Sequence, residues 1–325
     1  MISSWYTSMN NKIKAIIFAL LAAVFYAVNV PLSKIILRNI EPSFMAGILY
    51  LGAGLGMLIL QCLNLNGEKN SEPFTKDDFP FVAGMIVLDI IAPIFLMTGI
   101  TYGTSSNASL LGNFEIVATA LIASVIFREP VSKRLRVAIA LITLSGMILT
   151  FEEAGSLEFS RGSIFVLAAA TFWGLENNCT RKLSSKSAGM IVILKGFFSG
   201  IGSICIALMT GENIPPLKDS VYALLLGFVA YGLSIFFYVR AQETLGAAKT
   251  SAYYAAAPFI GALLSFVMLR ENLSGSYLVA LVVMLAGSMI VVIDTLRQRH
   301  THVHRHAFIH THNGITHAHI FFTRA

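Results

Sequence analysis

The chain is 325 residues long, 56% apolar and only 12% charged, with a formal net charge of +6 and a mean hydropathy of +0.73. Soluble domains carry about 25% charged residues, so a disordered chain, a disulfide scaffold and a conventional soluble enzyme are excluded and a bilayer protein is indicated. At about 20 residues per crossing, the length holds about ten spans and no sizeable soluble domain. The basic excess reads as basic cytoplasmic loops, not as a nucleic-acid surface. Cys62, Cys179 and Cys205 lie in apolar runs without metal-ligand spacing, so neither a disulfide framework nor a metal site is expected.

Apolar runs of membrane length predict helices over 13–37, 43–63, 79–100, 105–127 and 135–151, then over 162–183, 188–210, 220–241, 246–269 and 274–296. Helices are expected because the runs are apolar all round, whereas barrel strands alternate. Lys12 and Lys14 precede a run too long for a signal peptide and without a small-residue cleavage site, so 13–37 is read as the first span. With a cytoplasmic N-terminus, seventeen Lys and Arg fall inside against five outside (Lys34, Arg38, Arg161, Lys218 and Arg270), and Lys195 lies within a span. That bias predicts a multi-pass cell-membrane protein with both termini in the cytoplasm. All eight histidines fall between His300 and His319, in a tail over 297–325 that reads as disordered, with loose metal binding as the alternative. No predicted span holds a histidine, so no intramembrane histidine relay or haem ligand is expected.

The two halves repeat each other. "FREPVSKRLRVAIALITLSGMIL" from Phe127 aligns with "LRENLSGSYLVALVVMLAGSMIV" from Leu269 at an offset of 142 residues, and "AAVFYAVNVPLSK" at Ala22 with "AATFWGLENNCTR" at Ala169 at an offset of 147. The expected organisation is therefore a five-span repeat over 1–151 and a second over 152–296. Five is odd, so the second copy is upside down. Inverted repeats of this kind mark alternating-access carriers, whose site lies near the midplane between the halves.

Phe172-Trp173-Gly174 in the sixth span, the endings Arg128-Glu129 and Arg270-Glu271, and "PFIGALLSFVMLRENLSG" at Pro258 resemble the EamA-type drug/metabolite transporters over roughly 13–296. The resemblance implies an all-α membrane protein of ten helices in a 5+5 inverted repeat. It also implies a cavity lined mainly by spans one, three, four, six, eight and nine, and transport of small metabolites such as amino acids, nucleotide sugars or drugs. The first half departs from the pattern in carrying Ile116 where the second has Pro258, so no proline is at hand to break span four.

Ionisable groups inside a membrane cost several kcal/mol and are functional candidates by default. Glu115 lies about 15–18 Å from either face and Asp89 near the middle of span three, the depth at which a carrier holds cargo or a coupling proton; the alternative for each is a carboxyl that orders helix packing. Glu176 and Lys195 fall about 10 Å deep on adjacent spans, where an ion pair is expected, as a structural lock, a gate or a polar rung of the cavity. The repeat partner of Glu176 is Asn29. Trp173, Tyr231 and Tyr253, with Tyr26, Tyr238 and Tyr254, offer faces and hydroxyls to an organic cargo, or serve as packing and interface anchors. Gly52, Gly54 and Gly56, and Gly196, Gly200 and Gly202, read as small-residue faces for close helix crossing.

The reading is a secondary transporter of a small organic solute, working by alternating access and coupled to protons through Glu115 or Asp89. Its partners are that solute and the lipid bilayer. No cofactor and no nucleic acid are called for, and a homodimer is compatible with it. A membrane enzyme is disfavoured by the absence of Gly-x-Ser-x-Gly and HExxH, and a channel or sensor by the absence of a repeated filter motif.

Overall fold

The computed structural model describes residues 2–63, 72–126, 131–154, 160–183, 186–245, 247–297, 303–312 and 315–324. The Arg128-Glu129 ending and most of the polar 64–78 loop lie outside these. Fifteen α-helices run in the order α1 Ile2–Ala27, α2 Asn29–Ile36, α3 Pro42–Cys62, α4 Phe79–Tyr102, α5 Ser105–Leu111, α6 Phe114–Ile126, α7 Lys133–Ala154, α8 Arg161–Lys182, α9 Ala188–Leu194, α10 Gly200–Thr210, α11 Leu217–Gly227, α12 Ser234–Leu245, α13 Ala247–Tyr254, α14 Ala257–Leu269 and α15 Gly275–Arg297. Several of these are segments of one longer helix. Among the described residues nine helical stretches are long and apolar enough to cross a membrane. The sixth predicted span forms its helix, α8, but falls short in apolarity because Glu176, Asn177 and Asn178 sit together near its end.

Local chemistry sets the helix ends. Pro42 opens α3, where the missing N–H costs nothing. Thr104, Ser160 and Ser187 cap α5, α8 and α9 by accepting from backbone N–H groups of Asn107, Ser163 and Met190. Gly211, at φ +76°, ends α10. Within the helices Thr98, Thr101, Thr150 and Thr171 donate back to the carbonyl four residues earlier, which satisfies hydroxyls that lipid could not.

The most extensive packings pair a helix before residue 154 with one after residue 160: α4 and α6 on α8, α7 on α15, α1 on α12, α3 on α10 and α11, α5 on α14. The core is thus the seam between the halves, filled by Met45, Leu49, Met97, Ile100, Leu110, Leu111, Ile142 and Leu149. Large apolar side chains such as Val125, Ile201, Val267, Val282 and Met289 face outward, as a lipid-facing surface requires.

Gly54 and Gly196, one from each predicted glycine face, meet, whereas Gly52 lies against Leu224, Gly56 against Phe228 and Gly202 against Ile90. A Cβ on Gly196 would lie 2.3 Å from Gly54 Cα, and one on Gly47 2.9 Å from the Gly200 carbonyl, so spans two and seven cross backbone against backbone.

Val303–His312 and Ile315–Arg324 form two antiparallel strands, β1 and β2, with His312 paired to Ile315. Two residues, Asn313 and Gly314, separate them, and Asn-Gly between alternating segments is a strong hairpin signal.

Candidate functional site

Backbone irregularity gathers in one place. Helix α1 gives way to α2 at Val28, since Pro31 has no N–H for the Ala27 carbonyl. Span nine breaks at Ala255–Ala256, just before Pro258. Span four, with Ile116 in place of that proline, breaks as well: α5 ends at Leu111 and α6 begins at Phe114, and Asn113 turns its side-chain amide back to the Leu110 carbonyl at 3.2 Å. Two π-helical turns, Lys195–Ser199 and Phe228–Leu233, interrupt spans seven and eight. All five irregularities border a single cavity of about 320 Å³. Non-helical backbone at membrane depth is tolerated where it lines such a space, and π-turns often mark functional sites.

The cavity holds an ionic cluster. Lys195 Nζ lies 2.6 Å from Glu176 Oε1 and 3.1 Å from Asp89 Oδ2. Tyr50 OH donates to Asp89 Oδ1 at 2.9 Å, and Thr180 Oγ1 donates to Glu176 Oε1. Asp89 is 1% exposed and Glu176 3%, so neither charge could stand without the ammonium. Glu115 stands apart. Its Oε1 accepts from Asn177 Nδ2 at 2.6 Å, and among the described residues no basic group lies within ion-pair distance. Three carboxyls therefore share the cavity with one ammonium.

The remaining wall is aromatic. Tyr26 meets Tyr231 edge-on at 6.0 Å and Tyr254 at 5.7 Å, Tyr50 lies 5.4 Å from Tyr231, and Tyr238 stands 5.2 Å from Tyr254. Trp173 also lines the space.

Of the residues expected at the site, Glu115, Asp89, Glu176, Lys195, Trp173 and Tyr231 line the cavity. Asn29 does not: buried behind the wall, it donates to Tyr231 OH at 2.9 Å and accepts from Ser33, which makes it a positioning residue. Tyr253 is also absent from the lining; Tyr254 takes that place, because the break after span nine's first segment sets the helix phase. The expected Glu176–Lys195 pair is present, with Asp89 as a third member that depth along single spans could not reveal. Spans two and seven, outside the implied lining set, contribute Tyr50 and Lys195 because the glycine crossing draws them to the centre.

A second cavity of about 400 Å³ adjoins the first at Glu115, Ile116 and Asn177 and is lined further by Thr119, Arg181, Asp294 and Thr295. At the other end of the bundle two charges clamp the connection between α4 and α5. Lys34 Nζ donates to the carbonyls of Ile100 (2.5 Å) and Gly103 (2.7 Å), and the Glu271 carboxylate accepts from Ser105 N and Ser106 N, both at 2.8 Å. A cation at a helix C-terminus and an anion at an N-terminus both suit the helix dipole. The Arg270-Glu271 ending acquires a physical reading here. Arg270 takes the left-handed conformation (φ 52°) that ends α14 and turns the chain so that Glu271 reaches α5. Before α3, half-buried Glu41 accepts from Asn213 through both backbone and side-chain N–H groups, which hold its carboxyl below its ordinary pKa.

The EamA-like transporter family model matches residues 13–151 and again 160–293. An uncharacterized transporter of Methanothermobacter thermautotrophicus is 28% identical over 288 residues, 83% of each chain. A solved crystal structure shares the fold with a TM-score of 0.63 at 14% identity, over 88% of this chain and 98% of its own. These findings point to transport rather than catalysis. Two family matches that together take in the seam, the broken helices and the cavity place this multi-pass membrane chain in the EamA-like transporter family.

Proposed function

We propose that the chain is a ten-helix secondary carrier, built as a 5+5 inverted repeat over 1–151 and 152–296. It moves a small organic solute across the cell membrane by alternating access, with proton coupling at Glu115. The observation that carries this reading is the cavity itself: at the seam of the halves, it is bordered by broken helices from both and holds a carboxyl that, among the described residues, is engaged by a neutral amide and by no basic group. Several facts support the repeat. The family model matches once in each half, and the breaks at 112–113 and 255–256 fall at corresponding places. The lysine and arginine bias supports cytoplasmic termini.

Asp89 is the less suitable coupling group, because Lys195 and Tyr50 already occupy its oxygens. Glu115 faces Asn177 and Thr119, with Glu176, Lys195, Asp89, Tyr26 and Tyr254 around the same space. A proton can join or leave it without dismantling the ion cluster.

The test is uptake into proteoliposomes with a solute found by thermal-shift screening, since a cargo stabilises the state it binds. Glu115→Gln keeps the shape of the side chain and removes its titration. Its uptake is expected to lose the response to an imposed pH gradient that the wild type shows. Undiminished uphill uptake would assign the coupling elsewhere.

A further inference from the structure

We infer that the cargo is an organic ammonium ion with an aromatic or apolar body and no carboxylate, its cationic head seated on Glu115. The assignment rests on the carrier reading for its transport, and on the cavity's own charges for its chemistry. Asp89, Glu176 and Glu115 against Lys195 leave the ionised cavity two negative charges in excess. An anionic cargo would add to that excess in a low-dielectric space. A zwitterion would need a cation for its carboxylate; the one lining this cavity, Lys195, is already held by two carboxylates, and Arg181 lies in the adjoining cavity together with Asp294. A cation relieves the excess.

The surroundings select among cations. A bare metal ion of the hard kind wants six or more oxygens, whereas Glu115 presents two beside the amide of Asn177 and the hydroxyl of Thr119, and Ile116, Pro258, Tyr26 and Tyr254 line the same cavity. An ammonium needs less. Its charge is met by the carboxylate, to which it donates a charge-assisted hydrogen bond where it carries an N–H, and it gains from aromatic faces through cation–π attraction. Tyr26 and Tyr254, with ring centroids 5.7 Å apart, are placed to supply those faces, and Trp173 lines the same space. Asn177 Nδ2 donates to Glu115 Oε1 at 2.6 Å, and an arriving ammonium would take over or share that oxygen.

The experiment compares four probes of one shape on the purified full-length protein by calorimetry: 2-phenylethylamine, 2-phenylethanol, 3-phenylpropionate and L-phenylalanine, with sodium chloride as a fifth arm. The amine is expected to bind at least tenfold more tightly than the alcohol, the zwitterion or the anion, and sodium neither to bind nor to compete. Glu115→Gln is expected to abolish the amine's advantage, and Glu115→Asp, which keeps the charge, to retain most of it. Equal or tighter binding of the anion or the zwitterion overturns the assignment, as does competition by sodium, or an amine affinity unchanged in Glu115→Gln. The wild-type probe series decides the matter even if a variant fails to fold. Transport is read separately in vesicles with trimethyl(2-phenylethyl)ammonium, which cannot shed its charge and leak. If the probes bind in the expected order but this ion crosses no faster than through protein-free vesicles, the carrier reading fails and the binding assignment stands. If only anionic or neutral probes are carried, the binding assignment fails and the carrier reading stands.

Discussion

Lys195 Nζ lies 3.1 Å from Asp89 Oδ2, and the contact ties the third span of the first half to the π-turn in the second span of the other. The same ammonium holds Glu176 at 2.6 Å, so one side chain bridges carboxylates from two helices that pack along their lengths, α4 and α8. Lys195→Met would leave both carboxylates buried without a cation. Removing one partner of a buried pair costs about 3–5 kcal/mol. A thermal-unfolding series in detergent should show Lys195→Met as strongly destabilised, Asp89→Asn as mild, and Lys195→Met with Glu176→Gln as partly recovered. Equal stability of Lys195→Met and wild type would remove the cluster from the account of folding.

The crossing that brings Lys195 to the centre depends on Gly196. Its hypothetical Cβ lies 2.3 Å from Gly54 Cα and 2.8 Å from the Tyr50 carbonyl, whereas a Cβ on Gly275 meets nothing. Gly196→Ala must push two backbones apart and should cost about 1–3 kcal/mol, and Gly275→Ala should be neutral or slightly stabilising. The comparison is read from melting temperatures of the two variants. A Gly196→Ala protein as stable as wild type would contradict the backbone contact.

Glu271 accepts from the buried N–H groups at the start of α5 that have no partner within the helix. Its replacement by alanine removes acceptors for Ser105 N, Ser106 N and Ser106 Oγ and should cost about 1–2 kcal/mol, the range for losing a helix cap. Gln, which keeps an acceptor oxygen, should fall between alanine and wild type. Chemical denaturation measures the order. If alanine and glutamine are indistinguishable from glutamate, Glu271 does not hold α5.

Glu41 supplies the pH dependence that can be read outside the spans. Asn213 stabilises its ionised form and lowers its folded-state pKa, so its contribution to stability is present above the ordinary glutamate value and is lost as pH falls through the lowered one. A carbon-13 NMR titration of side-chain carboxyls should find Glu41 ionised below its usual range, and Asn213→Ala should return it to that range. An unshifted Glu41 in the wild type would rule out the contact in solution.

Most of the architecture can be read in the chain because lipid forces long apolar helices, and among the described residues nine helical stretches are long and apolar enough to cross. What escaped prediction lies where polar demands override that pattern. Helix α8 concentrates Glu176, Asn177 and Asn178 near its end, and their polarity serves the cavity at the expense of apolarity. The break at Gly112–Asn113 needed no proline, since glycine's freedom and the amide of Asn113 suffice. Depth along a single span placed Glu176 beside Lys195 but could not show that α4 lies against α8 and brings Asp89 into the same cluster. The preference for Tyr254 over Tyr253 depends on helix phase after a break, which periodicity does not carry across. Asn29 was identified by its place in the repeat, and the structure sets it behind the cavity wall. The tail hairpin was signalled by Asn313-Gly314, a cue masked by the run of histidines.

The central claim is that the cavity opens alternately to the two sides of the membrane, and Ile116, which borders both cavities, is the position that tests it most directly. With Cys62, Cys179 and Cys205 replaced by alanine, Ile116→Cys is reconstituted in vesicles and treated with a membrane-impermeant thiol reagent from one side at a time, with and without bound solute. The account predicts labelling from either side, with solute shifting the ratio between them. Labelling confined to one side under every condition would contradict it.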